Sequence, residues 1–172
     1  MKTLSIALVI LAFVCTAASQ GAPPTDAKKA EMKKVEKLAG KWEGSGWIQQ
    51  GRTRENFTGQ ELVQKKLDGL ALLVEGKFIN SEGKVAHETL AVLSATDKPD
   101  TFSFATYLAN GIAGVEEFRV VGDHYEWGFT IPAGTVRYTI RADENRWSEI
   151  GEFSPDGKTW LKNFEMDLKR VK

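Results

Sequence analysis

From Lys41 onward, apolar and polar residues alternate with a period of two, and turn-forming clusters interrupt the alternation at short intervals. The clusters are Asp68-Gly69, Ser81-Glu82-Gly83, Lys98-Pro99-Asp100, Asn110-Gly111, Gly122-Asp123, Pro132-Ala133-Gly134, Asp143-Glu144-Asn145 and Ser154-Pro155-Asp156-Gly157. They predict about ten strands, near 41–49, 54–67, 70–79, 84–94, 101–109, 114–121, 124–131, 134–141, 146–153 and 159–170. No long crossover separates them, so neighbours in sequence pair as an antiparallel meander. A meander of that length must curl, and closure removes its two exposed edges. The expected fold is all-β: an antiparallel up-and-down β-barrel of about ten strands with a short N-terminal helix.

The alternation also says which residues face inward. Tyr125, Trp127, Phe129 and Ile131 share one face, and Val136, Tyr138 and Ile140 share another. Trp160, Phe164, Met166 and Leu168 form a third apolar series. Aromatic residues are therefore concentrated on the expected inner wall. Trp42 is expected to plug one barrel end. Trp47 is out of phase with it, so both can be plugs only if the Gly44–Gly46 stretch kinks the strand.

Before the strands, Met32, Val35 and Leu38 mark a helix over roughly 26–38, with Gly40 as its C′ residue. The helix needs a surface for its apolar stripe, and a barrel end supplies one. Further upstream, Lys2, the apolar run Leu4–Val14 and the small residues Thr16 to Ser19 follow the order of a secretory signal peptide. The expected division is a signal peptide at 1–19, a linker at 20–25 and one barrel domain at 26–172, secreted or periplasmic after cleavage. Cys15, the sole cysteine, leaves with the leader, so no disulfide holds the mature fold. The chain has 23 basic and 23 acidic residues. That balance argues against nucleic acid as a partner, and no integral membrane segment is expected in the mature chain.

Common catalytic signatures are absent. Ser45 lies in Gly-Ser-Gly rather than a nucleophile elbow, and His87-Glu88 lacks the second histidine of a zinc-protease pair. No catalytic residue, metal or cofactor is assigned. Instead, polar residues fall in register with apolar faces. Glu61 shares a face with Phe57, Gly59 and Val63, and His87 with Val85, Thr89, Ala91 and Leu93. Glu116 aligns with Phe118, and Glu149 with Trp147 and Phe153. A few polar groups on aromatic walls suit a small-molecule pocket. Glu61, His87, Glu116, Trp127, Tyr138, Glu149 and Phe164 are the candidate ligand-binding residues, and a small hydrophobic or amphipathic molecule is the expected partner. Two other readings stand beside this one. The cavity could house an isomerase, cyclase or hydratase using His87 with a carboxylate, or the lysine-rich helix could serve an envelope interaction module.

Three segments also carry a resemblance: Leu38-Ala-Gly-Lys-Trp-Glu-Gly-Ser-Gly-Trp47, Leu67-Asp-Gly-Leu70, and Trp147-Ser-Glu-Ile-Gly-Glu152 with Ser154-Pro-Asp-Gly-Lys-Thr-Trp160. Together they resemble a bacterial family of lipocalin-like (calycin) proteins of unknown function, and the Gly-x-Trp at Gly40-Lys41-Trp42 is similar to the start of calycin barrels. The resemblance implies a lipocalin-like barrel and supplies no catalytic residues. Nitrobindin and fatty-acid-binding proteins are more distant cousins. Nitrobindin holds haem iron with a histidine on a late strand, where this chain has Phe164, Met166 and Leu168.

Overall fold

A computed structural model describes residues 25–172. The expected leader at 1–19 and all but the last residue of the linker lie outside the described residues. Ten antiparallel strands close into a barrel: β1 (Gly40–Gln50), β2 (Thr53–Lys66), β3 (Ala71–Asn80), β4 (Val85–Ala95), β5 (Thr101–Leu108), β6 (Ala113–Val121), β7 (His124–Ile131), β8 (Gly134–Ala142), β9 (Arg146–Ser154) and β10 (Leu161–Val171). Each strand pairs with its sequence neighbours, and β1 closes the ring against β10 from Lys41↔Val171 to Ile48↔Phe164. This is the up-and-down meander that the turn spacing predicts. At Asn110-Gly111, Gly111 has φ +85°, a left-handed conformation that glycine adopts without steric cost.

The helix differs from the expectation. It is an α-helix only over Thr25–Met32 (α1), and a 3₁₀ helix continues over Lys33–Leu38. The reason is in the spacing. Met32, Val35 and Leu38 recur every third residue, and a 3₁₀ turn puts such residues in one line. All three are buried against the barrel end. Gly40 follows the C-cap residue Ala39, in the C′ place the spacing predicts, and it also opens β1 at φ +144°. A Cβ there would sit 2.1 Å from the guanidinium of Arg170 and would displace it, and the positive φ itself favours glycine.

Trp42 is fully buried beneath the helix and donates its indole N–H to the Leu38 carbonyl at 2.8 Å. Arg170 stacks 4.0 Å over its ring and donates to the carbonyls of Lys37, Ala39 and Glu144. This clasp satisfies carbonyls that the short helix leaves unpaired. Three lysines of the helical segment are paired with aspartates at the barrel end. Lys28 pairs with Asp97 at 2.6 Å, Lys34 with Asp100 at 2.7 Å, and Lys29 with Asp68. They tie the helix to loops at the barrel end.

β1 keeps an unbroken register, so no kink rescues Trp47 for the core. Trp47 faces outward, with Arg54 4.0 Å over its ring and its N–H on Glu165. Two bulges change faces elsewhere. One lies where Phe78↔His87 gives way to Ile79↔Val85, and it turns Val85 out to solvent, off the His87 face. The other lies between Lys162 and Phe164. It breaks the series read from Trp160 to Leu168. Trp160 lies before β10 with the guanidinium of Arg137, a solvent-facing side chain, 3.9 Å over its ring, whereas Phe164, Met166 and Leu168 enter the core.

Candidate functional site in the barrel interior

The inner wall is not uniformly dry. Beside the helix, Trp42, Leu93, Phe102, Phe118, Trp147 and Leu168 are at most 4% exposed. Toward the opposite end, inner positions on β4 to β8 are reached by solvent: His87, Thr89, Phe104, Thr106, Trp127, Phe129 and Tyr138 are only half-buried. The wall across from them stays closed, because Phe57, Phe78 and Phe164 are buried against one another. Alternation thus produces a sealed end and a one-sided opening.

A seam lies in the open sector. β6 and β7 pair over only four residue pairs, from Phe118↔Trp127 to Val121↔His124 at their hairpin. Beyond Phe118, residues 113–117 of β6 and 128–131 of β7 have no ladder partner in each other. Each strand remains held on its other side, by β5 and β8 respectively. Gly114 and Gly128 fall in the two unzipped halves, and glycine within a strand contributes no cross-strand packing. Val115, 69% exposed, and Ile131, 42% exposed, form apolar lips.

The aromatic wall behind the seam is ordered by stacking. Trp127 and Tyr138 lie parallel, 4.3 Å apart with an interplanar angle of 9°. Phe104 meets Trp127 edge-on at 5.1 Å, and Tyr138 meets Phe164 edge-on at 5.6 Å. Rings in these geometries hold one another in place. Gly151 makes room for this group, since a Cβ there would lie 2.7 Å from both Tyr138 and Phe164.

Two carboxyls sit in this interior, and among the described residues they and Ser154 are the only buried polar or charged side chains. Glu149 accepts a hydrogen bond from the Trp127 indole N–H at 3.2 Å. Burial raises its pKa to about 7, although the indole N–H groups of Trp127 and Trp147 favour the charged form. The Trp147 N–H itself is buried and completes no hydrogen bond. Glu61 folds its carboxyl over Gly76, where a Cβ would come within 2.6 Å of Oε1. Its Oε2 is buried without a partner. Burial, and secondly the charge of Glu149, push its pKa up to about 8. Tyr138 is also raised, by burial first and then by Glu149. Among the described residues, no lysine, arginine or histidine contributes to the titration of either carboxyl.

The structure places all seven sequence-derived candidates on the inner wall. Glu149, Trp127, Tyr138 and Phe164 form a connected group, with Glu61 coupled to it through Glu149. Glu116 pairs with Phe104 across β5–β6 and sits beside the seam, half-buried. His87 stands apart. Its Nε2 is hydrogen-bonded to Thr89, its ring lies 6.3 Å from Phe78, and burial lowers its pKa. It makes no hydrogen bond to Glu61 or Glu149, so the acid–base pair required by the enzyme reading is not assembled. Sequence reasoning missed Phe104 and Trp147 as members of the group. Trp147 lies two residues before Glu149, on a face already singled out, whereas Phe104 lies in a strand already read from which no residue was singled out. The β6–β7 seam carries no comparable signal.

Two concavities lie elsewhere. One, of about 380 Å³, is bounded by Lys29, Met32, Lys65 and Leu72 beside the helix. The other, of about 510 Å³, runs over the outer wall past Leu62, Leu90 and Tyr107. Neither contains the buried carboxyls. Among the described residues there is no cluster of three or more metal-ligating side chains and no helix long and apolar enough to cross a membrane.

The barrel has a lipocalin-like fold. It is similar to the crystal structure of Rv2717c from M. tuberculosis, with a TM-score of 0.66, 16% identity, and 83% of this chain and 98% of that chain covered. It is also similar to the S-type phycobiliprotein lyase CPES from Guillardia theta, with a TM-score of 0.58, 10% identity, and 84% and 97% covered. No protein-family model and no curated protein matches the sequence.

Proposed function

We propose that this chain binds a small hydrophobic or amphipathic molecule in the open half of the barrel, and that it does so as a secreted or periplasmic protein. The observation that carries the reading is the one-sided opening: an aromatic wall reached by solvent, beside an unzipped seam, in a barrel otherwise sealed. Stacked Trp127 and Tyr138 offer a flat apolar surface, and the partly buried polar groups offer orientation. The export half of the reading rests on Lys2, Leu4–Val14 and the small residues to Ser19. The motif likeness supports membership of the bacterial lipocalin-like family of unknown function.

Native mass spectrometry of the protein purified from its own host tests both halves. The expected spectrum shows a chain lacking residues 1–19 with a small molecule bound at one per chain. A full-length cytoplasmic chain would overturn the export reading. For binding, titration with naphthalenemethanol, a neutral aromatic, should quench tryptophan fluorescence to a one-to-one end point. Trp127→Ala should weaken that binding about tenfold, the scale of one lost aromatic contact. No saturable quenching would sink the pocket reading.

A further inference from the structure

Among the described residues, the buried interior holds two acidic side chains and no lysine or arginine, and His87 stands apart on the half-buried wall. This is the reverse of what a carrier of fatty acids or other organic anions requires, since an incoming carboxylate would meet no lysine or arginine to pair with. Arg119, Arg137, Arg146 and Arg170 are engaged elsewhere, with Glu126, Glu152, Asp167 and helix-end carbonyls respectively, and Arg54 lies over Trp47 on the outer face. The groups facing Glu61 are Trp42 on β1, Gly76 on β3 and Glu149 across the interior. Those around Glu149 are Trp127 on β7, Tyr138 and Ile140 on β8, Met166 on β10 and its own neighbour Trp147. None supplies positive charge.

Two further features point the same way. Glu61 Oε2 is an acceptor with no donor, 91% of the residue being buried. Buried acceptors that lack donors are costly unless a partner arrives. Around Trp127, the faces and edges of Phe104, Phe129 and Tyr138 form an aromatic enclosure. Such faces attract cations through the ring quadrupole.

From this arrangement we propose that the barrel selects an amine-bearing amphipathic molecule, its ammonium group held by Glu61 and Glu149 and its apolar body lying against Trp127 and Tyr138. The proposal rests on the pocket reading above and narrows its ligand class. Binding of the cation favours both carboxylates, so the carboxyls release protons as the ligand enters. Affinity for the ammonium therefore rises with pH through the neutral range, while affinity for a neutral analogue does not.

Three probes with one ring system test this: naphthylmethylamine, naphthalenemethanol and naphthylacetate, titrated by tryptophan quenching at pH 7.5. The amine should bind about tenfold or more tighter than the alcohol, and the acetate weakest of the three. In Glu61→Gln and Glu149→Gln the amine should lose its advantage and bind no more tightly than the alcohol. Calorimetry of the unmodified protein, in two buffers of different ionisation enthalpy, should show proton release with the amine and none with the alcohol. This second measurement does not depend on either variant folding. Saturable binding of the alcohol with no preference for the amine, or an amine preference that survives both substitutions, overturns the selection and leaves the pocket standing. Failure of all three probes to bind overturns both.

Discussion

The two ends of this barrel are built from the same kind of strand and do opposite work. At the helix end, the inward side chains Trp42, Leu93, Phe102, Phe118, Trp147 and Leu168 are buried in one cluster. Trp42 meets Trp147 edge-on at 5.8 Å, bonds to Leu38, and is covered by Arg170. At the far end, the closed wall of Phe57, Phe78 and Phe164 faces a wall that solvent reaches. The difference does not come from composition, because both ends are rich in aromatics. It comes from what covers them. A helix, three lysine–aspartate ties and an arginine clasp seal one end, while a strand pair that stops after four residue pairs leaves the other ajar. Stability is concentrated in the first region and accessibility in the second.

The largest effect should come from breaking the sealed end. Trp42→Ala removes a fully buried indole and should cost about 3–5 kcal/mol in urea unfolding, the range for large aromatic truncation in a core. Trp127→Ala, in the solvent-reached wall, should cost clearly less and act mainly on ligand binding. Equal losses at the two sites would erase the distinction between the ends.

A second effect tests the carboxyls between the two regions. Glu61 and Glu149 have pKa values raised to about 8 and about 7, against 4.5 for an ordinary glutamate. A raised carboxyl binds its proton more tightly folded than unfolded. Its stabilising contribution is full below pH 4.5 and is lost as pH climbs to the folded value. Stability should therefore fall between about pH 5 and pH 8, by up to about 1.4 kcal/mol per pH unit for each carboxyl in transit. Glu61→Gln should flatten that slope and make the protein more stable than the unmodified chain at pH 8. A profile that rises over this range would place the carboxyls in water. Smaller again, Arg170→Ala should lose about 1.5–3 kcal/mol, the scale of charge-assisted hydrogen bonds, and should leave naphthalenemethanol affinity untouched.

Much of the sealed end was legible from residue spacing. The turns located all ten strands to within a residue or two, because hairpin chemistry is local. Trp42 could be assigned to the core because it opens a regular strand. The helix was legible in its contacts but not in its type, since a three-residue repeat fits both a short α-helix and a 3₁₀ turn. Trp160 and Val85 were misplaced for one reason: a single-residue bulge inverts every face beyond it, and a bulge has no reliable signature in one sequence. The in-register glutamates were visible as anomalies on apolar faces. Their coupling was not, because β2 and β9 meet only through the closed cylinder. The seam was invisible as well. Pairing strength between β6 and β7 depends on how barrel closure distributes strain, which alternation does not encode.

That seam gives the comparison its sharpest test and the smallest expected energetic signature. Backbone amides at 113–117 and 128–131 that lack a β5 or β8 partner should exchange with solvent faster than those at 118–121 and 124–127. Continuing the register from Phe118↔Trp127 would set Val115 opposite Thr130, both facing outward. In a Cys15→Ser background, which frees the chain of other thiols, Val115→Cys with Thr130→Cys should form a disulfide that zips the seam. If molecules pass between β6 and β7, oxidation should slow naphthalenemethanol association about tenfold or more, and reduction should restore it, as for a gated site. Equilibrium affinity should change little, since neither cysteine touches the aromatic wall. Association at an unchanged rate in the oxidised protein would move the passage to the barrel mouth. The unzipped edges would then be a structural irregularity, and the one-sided opening would lose its functional meaning.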